Sequence, residues 1–495
     1  MINVTKTAEG NLLTYVDGEE VIYNLGDMAW VITATAIVLM FIPGLALLYS
    51  GLLRRKNALS MIFLAFAVYA MGSIHWMLMG YSLTYSDSGG PFIGTLKHGG
   101  YVGVDINPSP VPTIPALLYA IYQSQFEAIT LVVIVAGGAE RAHVLPTMIW
   151  LFCWATVIYC PLAYWTWNAN GWLYVMGELD FAGGGPVHIA SGVASFVYAW
   201  FVGPRRGYGT PKLDYRPQSS TLICLGTGFI WFGWCCFNGA SMSGMSLKSV
   251  ICVVNTVISG SAGALVWVMI DWIYTRKYSA VGVCSGILAG LIGITPAVGY
   301  VSPPGALAVG AGAAIASNFA TGIKRLVKVD DPVDAFALHG CGGIAGGILT
   351  GFFAEARIAA YDESVIVGGW IDHNWIQLGY QLAGICSVVA WTAVVSYILL
   401  FLINLIPGLK FRVSEDYEIV GIDEAEIGEY AHDYLHLARD ILDDDESRRS
   451  ASRGRTTAPK PAQLQLQQQA EKDSSPASSK AAAEGSASIE PVRSS

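Results

Sequence analysis

Two histidines set in apolar sequence are the residues of this chain best suited to handling a proton. The first closes the run Asp180-Phe-Ala-Gly-Gly-Gly-Pro-Val-His188 and leads into an apolar stretch from Ile189 to Val202. The second closes Asp334-Ala-Phe-Ala-Leu-His339 and is followed by Gly-Cys-Gly-Gly. Each has an Asp upstream and glycines beside it. A histidine inside a membrane span is costly and faces a protein interior or a transport pathway. A neutral imidazole has one donor and one acceptor, so two that meet share one hydrogen bond and turn their outer edges to a pore. Such a pair accepts, holds or relays a proton. Two other readings stand beside it: unrelated core histidines bonded to backbone carbonyls, or a metal site. The sequence offers no HExxH pattern and no cluster of further ligands next to either histidine.

Other candidates surround the first histidine. Asp180 reads as an N-cap accepting free helix N–H groups, and its charge also favours a cation at a pore mouth. Trp167 lies in Trp165-Thr-Trp167-Asn-Ala-Asn170-Gly-Trp172. Tryptophans at a membrane interface are usually anchors, but an indole face is also the best aromatic partner for a small cation. Phe126, in Tyr122-Gln-Ser-Gln-Phe126-Glu127, and Phe237, in Gly233-Trp234-Cys-Cys-Phe237-Asn238-Gly-Ala-Ser241, read from their surroundings as core aromatics.

The elements that must carry these residues are membrane helices. The 495-residue chain is 53% apolar and 13% charged, about half the charge of an average soluble domain. Apolar runs of about 20 residues recur from Met28 to Ile406, which predicts a polytopic all-α membrane protein. We read eleven spans, at 28–52, 58–84, 113–138, 146–166, 186–203, 219–240, 249–273, 280–301, 305–323, 334–354 and 377–406. With the N-terminus outside, the inner loops carry fifteen Lys/Arg and the outer segments only Lys6, Lys97, Lys248 and Arg357. The positive-inside rule therefore predicts an outside N-terminus and a cytoplasmic C-terminus. His188 falls in the fifth span and His339 in the tenth. Five plus five spans form two halves of opposite topology, the inverted-repeat plan that places a site near the midplane, with one span left over.

Outside the spans, residues 1–27 form a polar extracellular segment with the glycosylation sequon Asn3-Val4-Thr5. The net charge of −9 is a property of the tail: thirteen Asp/Glu against one Arg lie between Glu415 and Glu446. Residues 407–439 form a cytoplasmic C-terminal region, and 440–495, acidic and then rich in Ser, Gln and Ala, are expected to be disordered. Ser450 and Ser452 follow Arg448-Arg449, a context suited to a regulatory kinase, where phosphate would add charge beside the acidic run. All nine cysteines sit in apolar segments without CxxC spacing, so neither disulfides nor zinc are indicated. No nucleic-acid partner is implied.

The segments DFAGGGPVH, DDPVDAFALHG, PGLALLYSGLLRRKN, GWCCFNGAS, SGILAGLIGITPAVGY and AERA together resemble the ammonium transporter family, most closely its fungal permeases. The resemblance spans about residues 28–431. It implies a plasma-membrane homotrimer of independently conducting eleven-span subunits that take up ammonium and methylammonium without a cofactor or metal, and it implies no enzyme activity. His188 and His339 match the twin pore histidines. Trp167, Ser241 and Phe126 match the external recruitment site, Phe126 and Phe237 a stacked phenyl pair, and Asp180 the supporting acid. Tyr49, Trp234, Ser285 and Thr295 match other vestibule or pore-lining positions. Some fungal members have Glu at the first twin position; His188 therefore places this chain with the intact-pair subgroup, of higher affinity and with potential sensors. The segment Arg412–Tyr430 matches a regulatory region that docks on inner loops. Glu127 departs from the pattern, which has a small residue there. A trimer-interface pair and added charge near the mouth are both open for it. Electroneutral ammonia conduction and signalling through the tail remain alternatives to electrogenic uptake.

Overall fold

The structure, a computed structural model, describes residues 5–7, 10–16, 18–210, 213 and 217–431. The sequon at Asn3, Ser450, Ser452 and the whole of 440–495 lie outside the described residues.

The chain is not helical throughout. Its polar N-terminal segment forms a three-stranded antiparallel meander of β1 (Thr5–Lys6), β2 (Leu12–Val16) and β3 (Glu19–Tyr23). Strands β2 and β3 pair from Leu12↔Tyr23 to Val16↔Glu19 as a tight hairpin. Gly18 supplies a φ of +86° there, the left-handed geometry such hairpins need. The all-α expectation has no place for these strands, which are too short to leave a clear periodic signal in a polar segment.

The rest is a helix bundle, since a chain crossing lipid must satisfy its backbone internally. Ten helical segments are long and apolar enough to cross a membrane: α1 (Leu25–Leu52), α2 (Arg55–Tyr85), α3 (Ala116–Gly138), α4 (Val144–Met176), α5 (Gly184–Val202), α6 (Ser220–Gly239), α7 (Leu247–Thr275), α9 (Pro303–Leu326), α10 (Phe336–Phe353) and α11 (Gln377–Leu405). Between α7 and α9 lies a shorter apolar helix, α8 (Ala280–Ile294). The sequence reading extended this element to residue 301. It stops at Ile294 because Pro296 has no N–H to continue the helical ladder to the Ile292 carbonyl, and the carbonyls of Thr295 and Pro296 accept instead from Ala182 and Phe181. That contact pins the loop ahead of α5. Helix α1 breaks at residues 39–40, where Pro43 has no N–H for the Leu39 carbonyl. Close approach relies on small residues: a Cβ on Gly263 would lie 2.3 Å from the Gly286 carbonyl oxygen, between α7 and α8.

After α11 the chain turns back over the loops at one end of the bundle. The short α12 (Glu415–Val420) and the residues after it are held there by acid groups that cap other helices. Asp423 accepts from the Leu59 and Ser60 amides at the start of α2, at 2.9 and 2.7 Å. Glu426 accepts from the Val144 amide at the start of α4 (3.1 Å) and pairs with His143 (2.5 Å). Lys56 Nζ donates to the Ile419 carbonyl, and Arg412 pairs with Glu418 at 2.6 Å. Beneath this segment, Glu140 is fully enclosed between Arg54 and Arg205. Burial raises its pKa, but the two guanidiniums outweigh burial and bring it to about 2.

Candidate functional site

The candidate residues lie along one line through the bundle. At the end that carries the N-terminal strands is a wide vestibule of about 1380 Å³ lined by Trp167, Asp180, Ser241, Tyr300 and Glu178 among others. Trp167 is held edge-on by its surroundings: its Nε1–H donates to the Asp180 carbonyl at 3.1 Å, and its ring meets Phe126 at 5.9 Å and 80°. Ser241, two residues past the end of α6, donates its hydroxyl to the Phe237 carbonyl at 2.6 Å. A hydroxyl that donates still carries lone pairs with which to accept from an N–H.

Below the vestibule, Phe126 of α3 and Phe237 of α6 are stacked with centroids 4.1 Å apart and planes at 30°. Both are almost completely buried. Tyr122, one helical turn before Phe126, fixes the opposite backbone by donating to the Phe237 carbonyl at 2.7 Å. Nothing in the sequence marked Tyr122, whose hydroxyl reaches across to α6.

His188 and His339 meet beneath the phenyl pair. Their Nδ1 atoms are 3.4 Å apart and the residues are only 2% and 7% exposed. A hydrogen bond between two Nδ1 atoms requires one ring to donate and the other to accept. That leaves His188 Nε2 without a hydrogen-bond partner among the described residues. Trp234 stacks on the His188 ring (5.2 Å, 26°), touches Phe237 (5.9 Å), and donates through Nε1 to Thr295 Oγ1 at 2.9 Å. Thr295 is therefore a buried support for Trp234. No group of three or more metal-ligating side chains stands together among the described residues.

Each histidine sits in a π-helical turn, Gly184–Ile189 and Phe336–Cys341. Asp180 stabilises the first: Oδ1 accepts from the Gly183 and Gly184 amides at 2.8 and 2.7 Å, and Oδ2 from Gly185 at 2.7 Å. Gly183 has φ +107°, and three glycines let successive amides converge on one carboxylate. The sequence reading paired Asp180 with Asp334. The structure gives the corresponding place to Asp331. Each of these acids lies eight residues before its histidine and accepts from the amide five residues on, Gly185 or Phe336 (3.0 Å). Asp334 instead has φ +58° and pairs with Lys324 at 2.7 Å.

Profile comparison then decides the family: the profile of the Ammonium Transporter Family matches residues 29–432. The chain belongs to that family. It is 45% identical over 415 residues to Ammonium transporter 1 of Schizosaccharomyces pombe, covering 83% of each chain. It is 43% identical over 421 residues to Ammonium transporter MEP2 of Saccharomyces cerevisiae, covering 83% of this chain and 84% of that one. The crystal structure of Candida albicans Mep2 matches with a TM-score of 0.78 at 45% identity, over 84% of this chain and 92% of the other.

On the far side of the histidines a smaller cavity of about 100 Å³ is lined by Tyr49, Ser285, Asp334 and His339. The buried Tyr49 hydroxyl has no hydrogen-bond partner among the described residues. Glu127 takes neither place considered for it: it is fully buried inside the helix bundle, with Oε1 2.7 Å from His75 Nδ1. His75, five residues before the end of a glycine-terminated turn in α2, carried no signal in the sequence beyond being polar in an apolar run.

Proposed function

We propose that this chain is an ammonium permease of the plasma membrane, with eleven spans, the N-terminus outside and the C-terminus cytoplasmic. Ten long apolar helices plus α8 support the span number, and the Lys/Arg bias of the loops supports the orientation. A five-plus-five inverted repeat is supported by a reciprocal contact. The glycine four residues after each histidine packs on the other histidine's turn: Gly192 against Gly340 and His339, and Gly343 against Ile189 and His188. Residues 28–406 are the transport domain, and 407–439 a regulatory region, supported by the capping contacts of Asp423 and Glu426. Homotrimer assembly, glycosylation at Asn3 and kinase control at Ser450 or Ser452 rest on the family resemblance and the sequence context.

The pore chemistry follows from what ammonium has and a metal cation of similar size lacks: N–H donors and a removable proton. Ammonium is held by the Trp167 face and by an accepting lone pair of Ser241. Asp180 acts through its field and by building the turn, since its oxygens are occupied by glycine amides. The stacked Phe126 and Phe237 close a dry throat, where an unpaired cation would cost several kcal/mol or more. Neutral ammonia crosses it, so the proton leaves at the mouth. Ammonia then passes His188 and His339 into the cavity at Tyr49 and Ser285. The observation that carries the reading is the buried Nδ1–Nδ1 contact at 3.4 Å directly below the phenyl pair, because it offers the released proton a route of its own and makes uptake electrogenic.

The test is the current that follows an ammonium jump across a membrane holding the purified protein. The parent is expected to give an ammonium-specific current, and His188→Ala and His339→Ala to lose it. Parent-like currents in these variants would reject the relay. Ammonia flux without any current in the parent would establish a neutral channel.

A further inference from the structure

A second histidine–acid pair lies inside the bundle, away from the pore line. His75 Nδ1 is 2.7 Å from Glu127 Oε1, and His75 Nε2 is 2.9 Å from Thr156 Oγ1. The other carboxylate oxygen, Oε2, has Cys160 Sγ at 4.0 Å. The chain of contacts therefore crosses three helices, from Thr156 of α4 through His75 of α2 to Glu127 of α3. His75 and Glu127 are both fully buried. A buried carboxylate unmatched by a partner is strongly unfavourable, so the sequence retains two compensating polar groups in an otherwise apolar region.

The backbone is shaped around the pair. His75 directly precedes the π-helical turn Trp76–Gly80, and Thr156 lies in another, Ala155–Tyr159. Such turns insert a residue into a helix and re-aim the side chains beside it; they recur at functional sites. Gly80 makes the room: a Cβ there would lie 2.8 Å from Glu127 Oε2 and 2.7 Å from the Trp76 ring. The side chain immediately before Glu127 on α3 is Phe126, which stacks on Phe237 at 4.1 Å and meets Trp167 at 5.9 Å. Neighbouring helix residues point about 100° apart. Fixing Glu127 toward α2 and α4 therefore fixes the angle at which Phe126 points into the pore. Gln125 reinforces the same rotation by accepting from Tyr69 of α2 at 2.9 Å.

We propose that His75 and Glu127 are positioning residues for substrate selection: they lock the rotation of α3 so that Phe126 caps the ammonium at Trp167 and stacks on Phe237. This deepens the reading of Phe126 as part of the outer site and rests on it. The pair touches no substrate itself.

The test measures methylammonium uptake and its competition by ammonium in cells lacking their own permeases, with each variant's amount at the membrane measured in parallel. Glu127→Leu is expected to raise the apparent KM for ammonium about fivefold or more, with Vmax per molecule changed less. Glu127→Gln keeps an oxygen for His75 and is expected to restore the parent KM to within about twofold. The double variant His75→Leu/Glu127→Leu is expected to be no worse than the worse single one, the signature of one shared interaction. A fall in membrane amount with the parent KM in Glu127→Leu overturns the proposal, as does strict additivity in the double variant. Should Glu127→Leu fail to reach the membrane, Thr156→Val decides. A raised KM there supports the proposal, and a parent KM overturns it. Phe126→Ala separates the two layers. If Phe126→Ala leaves KM unchanged, the outer-site role of Phe126 fails and the proposal falls with it. If Phe126→Ala raises KM while the pair variants do not, only the positioning role is lost.

Discussion

The two histidine-bearing turns are built to one plan and secured differently. Both are π-helical, and both follow a buried Asp by the same spacing. The His188 turn is fixed locally, by three glycine amides on Asp180. Only the Phe336 amide reaches Asp331, whose other oxygen has no hydrogen-bond partner among the described residues. The loop leading to His339 is anchored instead by long-range charge. Asp330 pairs with Arg205 at 2.8 Å, and Arg205 also pairs with Glu140. Arg141 donates to the Asp330 carbonyl at 2.7 Å. The comparison teaches that the same backbone turn can be held by local amide convergence, which needs glycines, or by ion pairs, which need distant partners. Only the second route couples a histidine to the C-terminal segment, because Glu140 also binds Arg54, two residues before Lys56, which holds the Ile419 carbonyl.

The largest expected effect breaks the reciprocity of the two turns. A Cβ on Gly192 would lie 2.2 Å from the Gly340 amide nitrogen, and backbone cannot yield. Gly192→Ala is therefore expected to lose on the order of 3 kcal/mol or more and to be recovered poorly from membranes. At Gly343 the closest atom is Cγ1 of Ile189 at 2.9 Å, a side chain that can shift. Gly343→Ala should fold with a modest loss of Tm, and equal loss at both glycines would break the comparison.

The next effect concerns the acids. Asp180→Ala strands three amides, each worth about 1–3 kcal/mol when buried without a partner. Uptake should fall to background in Asp180→Ala, while Asp331→Asn, which keeps an oxygen for Phe336, should retain most of it. Initial uptake rates per molecule check this. A smaller effect is expected from Thr295→Val, which removes the acceptor of the indole stacked on His188. It should lower uptake several-fold without changing the amount of protein. An unaltered rate would mean that Trp234 does not need its anchor.

The smallest effect is in pH. The pKa of Glu140 lies at about 2 in the fold against 4.5 as the ordinary value. Its depressed value contributes stability that is complete above about pH 5 and is lost as pH falls through 4.5 toward 2. Asp330 is also shifted down: burial opposes its ionisation, but Arg205 more than compensates. Tm in detergent should therefore decline through that acid window in the parent. Glu140→Gln should start lower and decline less. Identical curves for the two would show that the ion pairs do not secure the His339 side.

Much of the fold and of the candidate site was legible. Apolar runs located the membrane helices, because lipid allows the backbone few alternatives. The paired histidines were legible because a polar residue in such a run is conspicuous, and Asp180 because an acid before glycines is a capping pattern. The differences arise where backbone geometry or a weak local pattern decides. Asp334 reads as the counterpart of Asp180 because it is the Asp nearest before His339, whereas the turn geometry selects Asp331. Helix α8 ends early because its last turn is exchanged for bonds to Phe181 and Ala182. The N-terminal meander was missed since short strands in a polar segment leave a weak periodic signal.

By itself, then, the sequence determined the solvent each segment requires, the orientation bias of its loops and the chemical character of the residues in the spans. Those are properties of side chains and of local backbone, and they are present before the chain folds. Only the tertiary structure decided which imidazole atoms meet, which acid caps which turn, and that Glu127 answers to His75 rather than to the pore mouth. Helix packing sets those distances across 52 residues in one case and 151 in another, and no local pattern encodes the angle at which two helices present their faces to each other.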